Sequence, residues 1–329
     1  MIMANNKDKE MQSMKRFTVV IIALVLALSL VMPSVALAQT ESCRETGNDL
    51  QIMKMPAKIT GNPHDDAAPM VKPDNPGKPP KPDPEPDPEP EPAANKWALV
   101  VGIADYEGRT SDLWNPDDDA KEMAKALEQN YGFAESNIRL LTNRNATASN
   151  IVSGINWLLQ NEDAESTVVI FFSGHGFTLA DSEGWDSDVE SDGIDEGIVT
   201  HDFYGITDGN LKDMLSGLES EKVFMGFASC HSGGMFDDDN DGNGLQGTNR
   251  VIATACQADQ YGWDIRTLKN TVWGKYFVDE PLLQGLGDAN SDGTVSIEEA
   301  HAYAYARVPN VVSDSTPQLY DNYAGDMLL

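Results

Sequence analysis

The sequence predicts an α/β fold, a three-layer αβα sandwich with a mainly parallel central sheet. From residue 96 onward, β-rich apolar runs alternate with stretches whose apolar residues recur at helical spacing. This alternation indicates βαβ units, which form parallel sheets covered by helices on both faces. Two of the runs end at glycine-flanked polar segments, and ligands collect at such strand ends in open α/β sheets. Residues 95–329 suffice for one domain with a sizeable core.

The individual elements follow from local patterns. Compact runs of β-branched and aromatic residues predict five strands, in chain order 96–103, 138–141, 167–172, 222–229 and 250–255. Apolar residues at helical spacing predict helices that begin at Pro116, cover 147–159 and 208–218, end at Leu282, and cover 297–308. A long acidic connection, residues 177–208, joins the third predicted strand to the fourth.

The first 94 residues do not show the pattern of a folded core. Met14-Lys15-Arg16, the apolar run 17–32 and a small-residue site ending at Ala38 predict a signal peptide over residues 1–38. An uncleaved membrane anchor is the alternative, because the run approaches spanning length. Residues 39–94 are a predicted disordered, proline-rich linker or propeptide, since a charged proline tract is extended and cannot build a core. We therefore expect a secreted or cell-envelope protein.

Charge and cysteine content narrow the classes of partner and scaffold. The chain has 329 residues and a net charge of −30, which argues against nucleic acid or an anionic membrane as a partner. Three cysteines are too few for a disulfide scaffold. If Cys230 is kept free for chemistry, Cys43 and Cys256 could pair, but the sequence leaves this open.

The two polar strand ends carry a candidate catalytic pair. His175 follows the third predicted strand and Cys230 follows the fourth, so a thiol and an imidazole are expected side by side. A cysteine attacks carbonyls as the thiolate, and an adjacent imidazole can lower the pKa of its thiol. The main-chain N–H groups of Gly176 and Cys230 are the candidates for an oxyanion hole. His231 is disfavoured as the base, because neighbouring residues on a strand point to opposite faces.

These residues carry a resemblance to a known family. The segments Ser173-Gly-His175-Gly176 and Ser229-Cys230-His231-Ser232-Gly233 resemble the caspase-like peptidases of the cysteine-protease clan that includes metacaspases and legumains. The resemblance covers about residues 96–286, the whole predicted sheet. It implies a cysteine endopeptidase that acts on protein or peptide substrates, with His175 as the base and Cys230 as the nucleophile.

The resemblance also bears on specificity. The metacaspase branch typically cuts after Arg or Lys, with one pocket acid at the position of Asp119 and another two residues before the nucleophile. This chain has Ala228 at the second place, so one of the two acids is missing. A legumain-like asparaginyl peptidase is one alternative. A catalytically silent, calcium-dependent binding module on the same fold is another.

Residues 288–299 predict a calcium site. Asp288, Asn290 and Asp292 occupy the first ligand positions of an EF-hand-type loop, and Gly293 makes its turn. Thr294 offers a carbonyl and Glu299 closes the loop in bidentate fashion, so Ca²⁺ is the expected cofactor.

A second calcium site is predicted near the nucleophile. Asp237 begins the front half of another loop of this kind, seven residues beyond Cys230. Metacaspases resemble the chain here, with acids of a calcium site at positions that match Asp195, Glu196 and Asp237. Closely packed carboxylates repel one another, and a divalent cation would relieve that repulsion. We expect calcium to order the loops beside the cleft and thereby to activate the enzyme.

Overall fold

A computed structural model describes residues 53–55, 95–108, 110–186, 190–236 and 244–329. The predicted signal peptide, almost all of the predicted linker and Asp237 lie outside these residues. Within the described part of the chain, none of the helices combines the length and the apolar character needed to cross a membrane.

The elements alternate along the chain as the sequence predicts. The strands are β1 (Met53–Lys54), β2 (Lys96–Gly102), β3 (Ile138–Thr142), β4 (Thr167–Ser173), β5 (Gly176–Ala180), β6 (Ile194–Val199), β7 (Tyr204–Thr207), β8 (Val223–Ala228), β9 (Arg250–Thr254) and β10 (Gln318–Asp321). The helices are α1 (Pro116–Asn130), α2 (Ala148–Asn161), α3 (Asp208–Met214), α4 (Val272–Gly274), α5 (Ile297–Tyr305) and α6 (Val308–Val311). Helix α4 continues into a π-helical segment, Lys275–Leu283.

The central sheet has six strands in the order β10-β9-β8-β4-β2-β3. The pairs among β9, β8, β4, β2 and β3 are parallel, and β10 is antiparallel at one edge. Every residue of β4 and β8 is buried, as expected of central strands with helices on both faces. The predicted mainly parallel sheet is therefore confirmed.

Helices pack on both faces of this sheet, which makes three layers. Val100 belongs to a core cluster that includes Met123 and Leu127 of α1. Its neighbour Leu99 points to the other face, where its Cδ1 would lie 2.6 Å from a Cβ added at Gly154 of α2. Successive side chains of a strand alternate between faces, so the apolar run of β2 serves both helical layers at once.

The acidic connection between β4 and β8 contains more structure than its sequence pattern predicts. Strands β5, β6 and β7 form an antiparallel sheet there, and β1 joins it beside β7. Glycines and acids interrupt the apolar signal of these short strands, for example in Ile194-Asp195-Glu196-Gly197. Strand β10 also lacks a predicted counterpart, and α3 ends at Met214 rather than Leu218.

Candidate active site

His175 and Cys230 lie beside one cavity at the carboxyl edge of the central sheet. Strands β4 and β8 pair in a register that sets Ser173 opposite Ala228, and each candidate catalytic residue follows two positions later. Both residues line one small cavity. The ends of β4 and β8 thus place the His175 imidazole and the Cys230 thiol beside the same cavity.

The imidazole of His175 is fixed by contacts with the segment that follows β2. Its Nε2 lies 2.8 Å from the carbonyl oxygen of Ser111. A carbonyl can only accept a hydrogen bond, so Nε2 carries the proton and Nδ1 is the basic nitrogen. The hydroxyl of Tyr106 accepts a 2.8 Å hydrogen bond from the His175 main-chain N–H, and the Tyr106 ring lies 4.8 Å from the imidazole.

The thiol of Cys230 is buried and contacts a main-chain carbonyl. Cys230 is 6% exposed, and its Sγ donates to the carbonyl oxygen of Gly262 at 3.5 Å. Burial, reinforced by the nearby Cys256 thiol, raises the pKa of Cys230 to about 12. This differs from the sequence expectation of an imidazole-lowered pKa, because desolvation of the thiolate dominates here.

The two residues predicted for the oxyanion hole are in close backbone contact. A Cβ added at Gly176 would lie 2.0 Å from the carbonyl oxygen of Cys230, so no other residue type fits at this position. The glycine after the histidine therefore permits the close approach of the turn after β4 to the turn after β8.

Asp119 lies behind the cavity and does not line it. Its side chain is fully buried in α1, and burial raises its pKa to about 7. The carboxylate accepts hydrogen bonds from Ser173 Oγ at 2.8 Å, Thr271 N at 3.1 Å and Thr271 Oγ1 at 2.7 Å. Asp119 thereby ties the end of β4 to Thr271, and Thr271 does line the cavity.

Asp264 is an acid in the cavity wall that the sequence pattern does not reveal. It is 6% exposed and lines the cavity together with Trp263 and Trp273. Its carboxylate accepts hydrogen bonds from the main-chain N–H and the side-chain amide of Asn115, and burial raises its pKa to about 6. Asp264 lies in an irregular segment without a recognisable motif, so its position emerges only from the fold.

Asp195 and Glu196 of β6 are buried acids beside the segment that follows Cys230. Asp195 is fully buried, and neither of its carboxylate oxygens has a hydrogen-bond partner among the described residues. Burial, followed by repulsion from Asp186 and other acids, raises the pKa of Asp195 to about 7. A Cβ added at Gly234 would lie 2.1 Å from the Glu196 carboxyl carbon, so this acid contacts the backbone near the nucleophile.

The predicted EF-hand-type loop turns its acidic side chains inward onto its own backbone. Asp288 accepts from the N–H groups of Asp292 and Gly293, and Glu299 Oε1 accepts from the N–H of Asn290. Gly293 has φ 94°, the left-handed conformation expected at the turn position. Thr294 N–H donates to Asp292, and the loop leads directly into α5.

Within the described residues, no group of three or more His, Cys, Asp or Glu side chains is arranged to hold a metal ion. The donors at both predicted sites are oxygen atoms, the ligands that Ca²⁺ prefers. Both carboxylate oxygens of Asp195 are buried, and neither has a hydrogen-bond partner among the described residues. Buried oxygens of this kind fit the binding of a hard cation. The third acid predicted for that site, Asp237, lies outside the described residues.

Cys256 is a free, fully buried thiol. Its Sγ donates to the carbonyl oxygens of Ser229 and Gln260, both at 3.4 Å. Its possible partner in a disulfide, Cys43, lies outside the described residues.

A Cys/His pair at adjoining strand ends of a three-layer α/β sandwich defines a hydrolase that uses a thiol nucleophile. The family description "Caspase domain" matches residues 95–326, more than half of the chain. The chain therefore belongs to the caspase-domain family of cysteine-type peptidases.

Curated relatives in this family are metacaspases. Metacaspase-4 of Arabidopsis thaliana is 33% identical over 149 residues, which are 44% of this chain and 35% of that protein. Metacaspase-1 of Ajellomyces capsulatus is 31% identical over 154 residues, 43% of this chain and 41% of the relative. The matched region thus spans well under two thirds of the length of these relatives.

One solved structure shares the fold at low sequence identity, and a second aligns more weakly. A Geobacter sulfurreducens protein, GSU0716, aligns with a TM-score of 0.51 and 19% identity over 70% of this chain and 93% of its own. The Drosophila initiator caspase Dronc aligns with a TM-score of 0.47 and 14% identity over 71% of this chain and 82% of its own.

The buried thiol predicts a specific pH dependence of alkylation. Because the pKa of Cys230 is raised to about 12, the thiolate fraction of the substrate-free enzyme should increase with pH well beyond neutrality. The rate of Cys230 modification by iodoacetamide, followed by peptide mass spectrometry, should rise steadily from pH 6 to pH 10. Cys230→Ala serves as the control for reaction at Cys256. A plateau reached below pH 7 would instead indicate a preformed thiolate–imidazolium pair.

Proposed function

We propose that the protein is a cysteine endopeptidase that uses His175 and Cys230 as a catalytic dyad. The observation that carries this proposal is the shared cavity, in which the two residues follow adjacent parallel strands. The Ser111 carbonyl supports it further, because it fixes the tautomer in which Nδ1 can accept a proton.

The reaction proceeds by general-base-assisted acyl transfer. As Cys230 Sγ forms a bond to the scissile carbonyl carbon, its proton passes to His175 Nδ1. The oxyanion is stabilised by the N–H groups of Cys230 and Gly176. The C–N bond then breaks, and His175 donates the proton to the leaving amine. Water, deprotonated by His175, hydrolyses the thioester and regenerates the thiol.

Removing either member of the dyad should abolish peptide hydrolysis while the fold is retained. Cys230→Ala and His175→Ala should each lower kcat by at least about 10³-fold, because the nucleophile or its base is lost. Hydrolysis is measured with fluorogenic peptides, and folding by circular dichroism and thermal unfolding. A folded Cys230→Ala variant with substantial activity would contradict the dyad. A wild-type protein that binds peptides without cleaving them would favour the silent binding module.

We further propose that the enzyme cleaves after Arg or Lys. Asp264 supplies a buried carboxylate in the cavity wall. This acid stands in for the one that metacaspases have two residues before the nucleophile, where this chain has Ala228. Trp263 lines the same cavity, and an indole face attracts cationic side chains. Asp119 adds a second acid behind Thr271, and the two carboxyl groups repel each other. A cation in the cavity would relieve this repulsion.

Asp264→Asn tests this proposal directly. The substitution should lower kcat/KM for peptides with Arg at P1 by about 10- to 100-fold, the value of one charge-assisted hydrogen bond. In the wild type, kcat/KM for these peptides should fall as pH drops below about 6, because protonation neutralises the raised-pKa carboxyl of Asp264.

Two controls keep the interpretation specific. Asp259→Asn removes an exposed acid of the same segment that does not line this cavity, and it should leave kcat/KM unchanged. For peptides with a neutral P1 residue, protonation of Asp264 should not lower kcat/KM at acidic pH. Faster cleavage after Asn than after Arg or Lys would contradict basic specificity and favour the asparaginyl alternative.

We also propose that calcium binds at both predicted sites and activates the enzyme through the one near Cys230. The support for the second site is Asp195, whose buried carboxylate has acidic neighbours. Glu196 touches Gly234, four residues from the nucleophile, so a cation held by these acids would order that segment. The support for the first site is the inward-facing acids of residues 288–299.

Two substitutions separate the calcium sites. Glu299→Gln should remove one calcium equivalent, measured by titration calorimetry, and leave calcium-dependent hydrolysis in place. Asp195→Asn should remove the other equivalent together with the calcium activation of hydrolysis. Magnesium is the control ion, since it prefers a rigid octahedral shell and should not substitute. Wild-type activity that persists unchanged in excess chelator would contradict activation by calcium.

We infer an extracytoplasmic location from residues 1–38 and the proline tract that follows. N-terminal sequencing of the protein recovered from the producing cells should find residue 39 or a later residue as the first. Recovery of the intact N-terminus in the membrane fraction would instead support the uncleaved anchor.

A further inference from the structure

The residue after the nucleophile has an unusual backbone conformation. His231 has φ 58° and ψ 16°, the left-handed region. For a residue with a side chain this conformation is strained relative to right-handed backbone, and it persists only where surrounding contacts hold it. Glycine would adopt it without strain, so the histidine at this position calls for an explanation in its side-chain contacts.

The side chain and the main-chain N–H of His231 both contact one neighbouring segment, residues 258–262. The main-chain N–H of His231 donates to the carbonyl oxygen of Gln260 at 2.9 Å. Its Nδ1 lies 2.7 Å from the carbonyl oxygen of Ala258, which can only accept, so Nδ1 is the donor. The imidazole also packs edge-on against the Tyr261 ring at 5.1 Å.

The same segment holds the nucleophile. The carbonyl oxygen of Gly262 accepts the 3.5 Å hydrogen bond from Cys230 Sγ. A Cβ added at Gly262 would lie 2.7 Å from the carbonyl oxygen of Ser229, so the segment packs directly on the turn that carries the thiol. The side chain of His231 and the sulfur of Cys230 are therefore held against one short stretch of backbone.

We propose that His231 is a positioning residue that clamps the turn at Cys230 onto residues 258–262. This inference rests on the proposed peptidase function. The contacts of His231 stabilise the left-handed backbone of this turn, and that backbone orients the Cys230 N–H and Sγ. His231 is not the general base in this assignment, because that role belongs to His175.

Three substitutions at His231 test the clamp. His231→Ala keeps the unfavourable φ and loses the imidazole contacts, so kcat should fall roughly 10- to 100-fold with KM changed less than about 2-fold. His231→Asn should recover most of kcat, since asparagine tolerates left-handed backbone and its amide can donate to Ala258. His231→Gly relieves the backbone strain without restoring the clamp, so it should be as stable as wild type and still slow.

The controls distinguish a clamp from a purely structural or catalytic role. His201→Ala removes a similar contact, Nδ1 to the Asp105 carbonyl at 2.7 Å, outside segment 258–262, and should leave kcat unchanged. The pH profile of Cys230 alkylation should keep its shape in all His231 variants. Full kcat in His231→Ala, or His231→Gly as fast as wild type, would overturn the clamp. An altered alkylation profile would overturn it too, because His231 would then act on the thiol electrostatically. Failure of the peptidase proposal itself looks different, because the wild type would then be inactive.

Discussion

The pairing of β4 with β8 is the constraint on which the site depends. The register sets Ser173 opposite Ala228, and the Gly174 N–H donates to the Ala228 carbonyl at 3.2 Å. Both strands are buried on their two faces, so a shift of one residue would exchange every side chain between the helical layers. The apolar pattern that fixes this register also brings an imidazole and a thiol to one cavity. The chemistry of the site is in this sense a consequence of core packing.

How much the sequence predicts depends on the range of the contacts involved. Strands β2, β4 and β8 and the positions of His175 and Cys230 follow from local apolar patterns and from the rule that parallel strand ends share one edge. Asp264 could not be found in this way, because its partner Asn115 is 149 residues away in the chain. The supports of His175 are likewise tertiary, since Tyr106 and the Ser111 carbonyl reach it from the segment after β2.

Asp119, Asp264 and Asp195 are buried carboxyl groups near the site, and their environments differ. Asp119 and Asp264 are desolvated, but each accepts several hydrogen bonds, which stabilise the charged form. Asp195 is desolvated among other acids, and its oxygens have no donor within the described residues. The first two can therefore brace the cavity without further help. A cation would therefore stabilise the charged form of Asp195 more than that of Asp119 or Asp264.

The hydrogen bond of the Cys230 thiol must change before the sulfur can attack a substrate. In the substrate-free state Cys230 Sγ donates its proton to Gly262, whereas attack on a carbonyl requires that proton to move to His175. The thiol must therefore break its hydrogen bond to the Gly262 carbonyl and form one to His175. Residues 258–262, which include Gly262, determine how Cys230 is held before that change. Glu196 contacts Gly234, four residues beyond Cys230. A cation bound at Asp195 and Glu196 and a hydrogen bond from His231 to Ala258 would thus act on one short piece of backbone. Nucleophile geometry is then set jointly by two contacts that lie outside the reacting atoms.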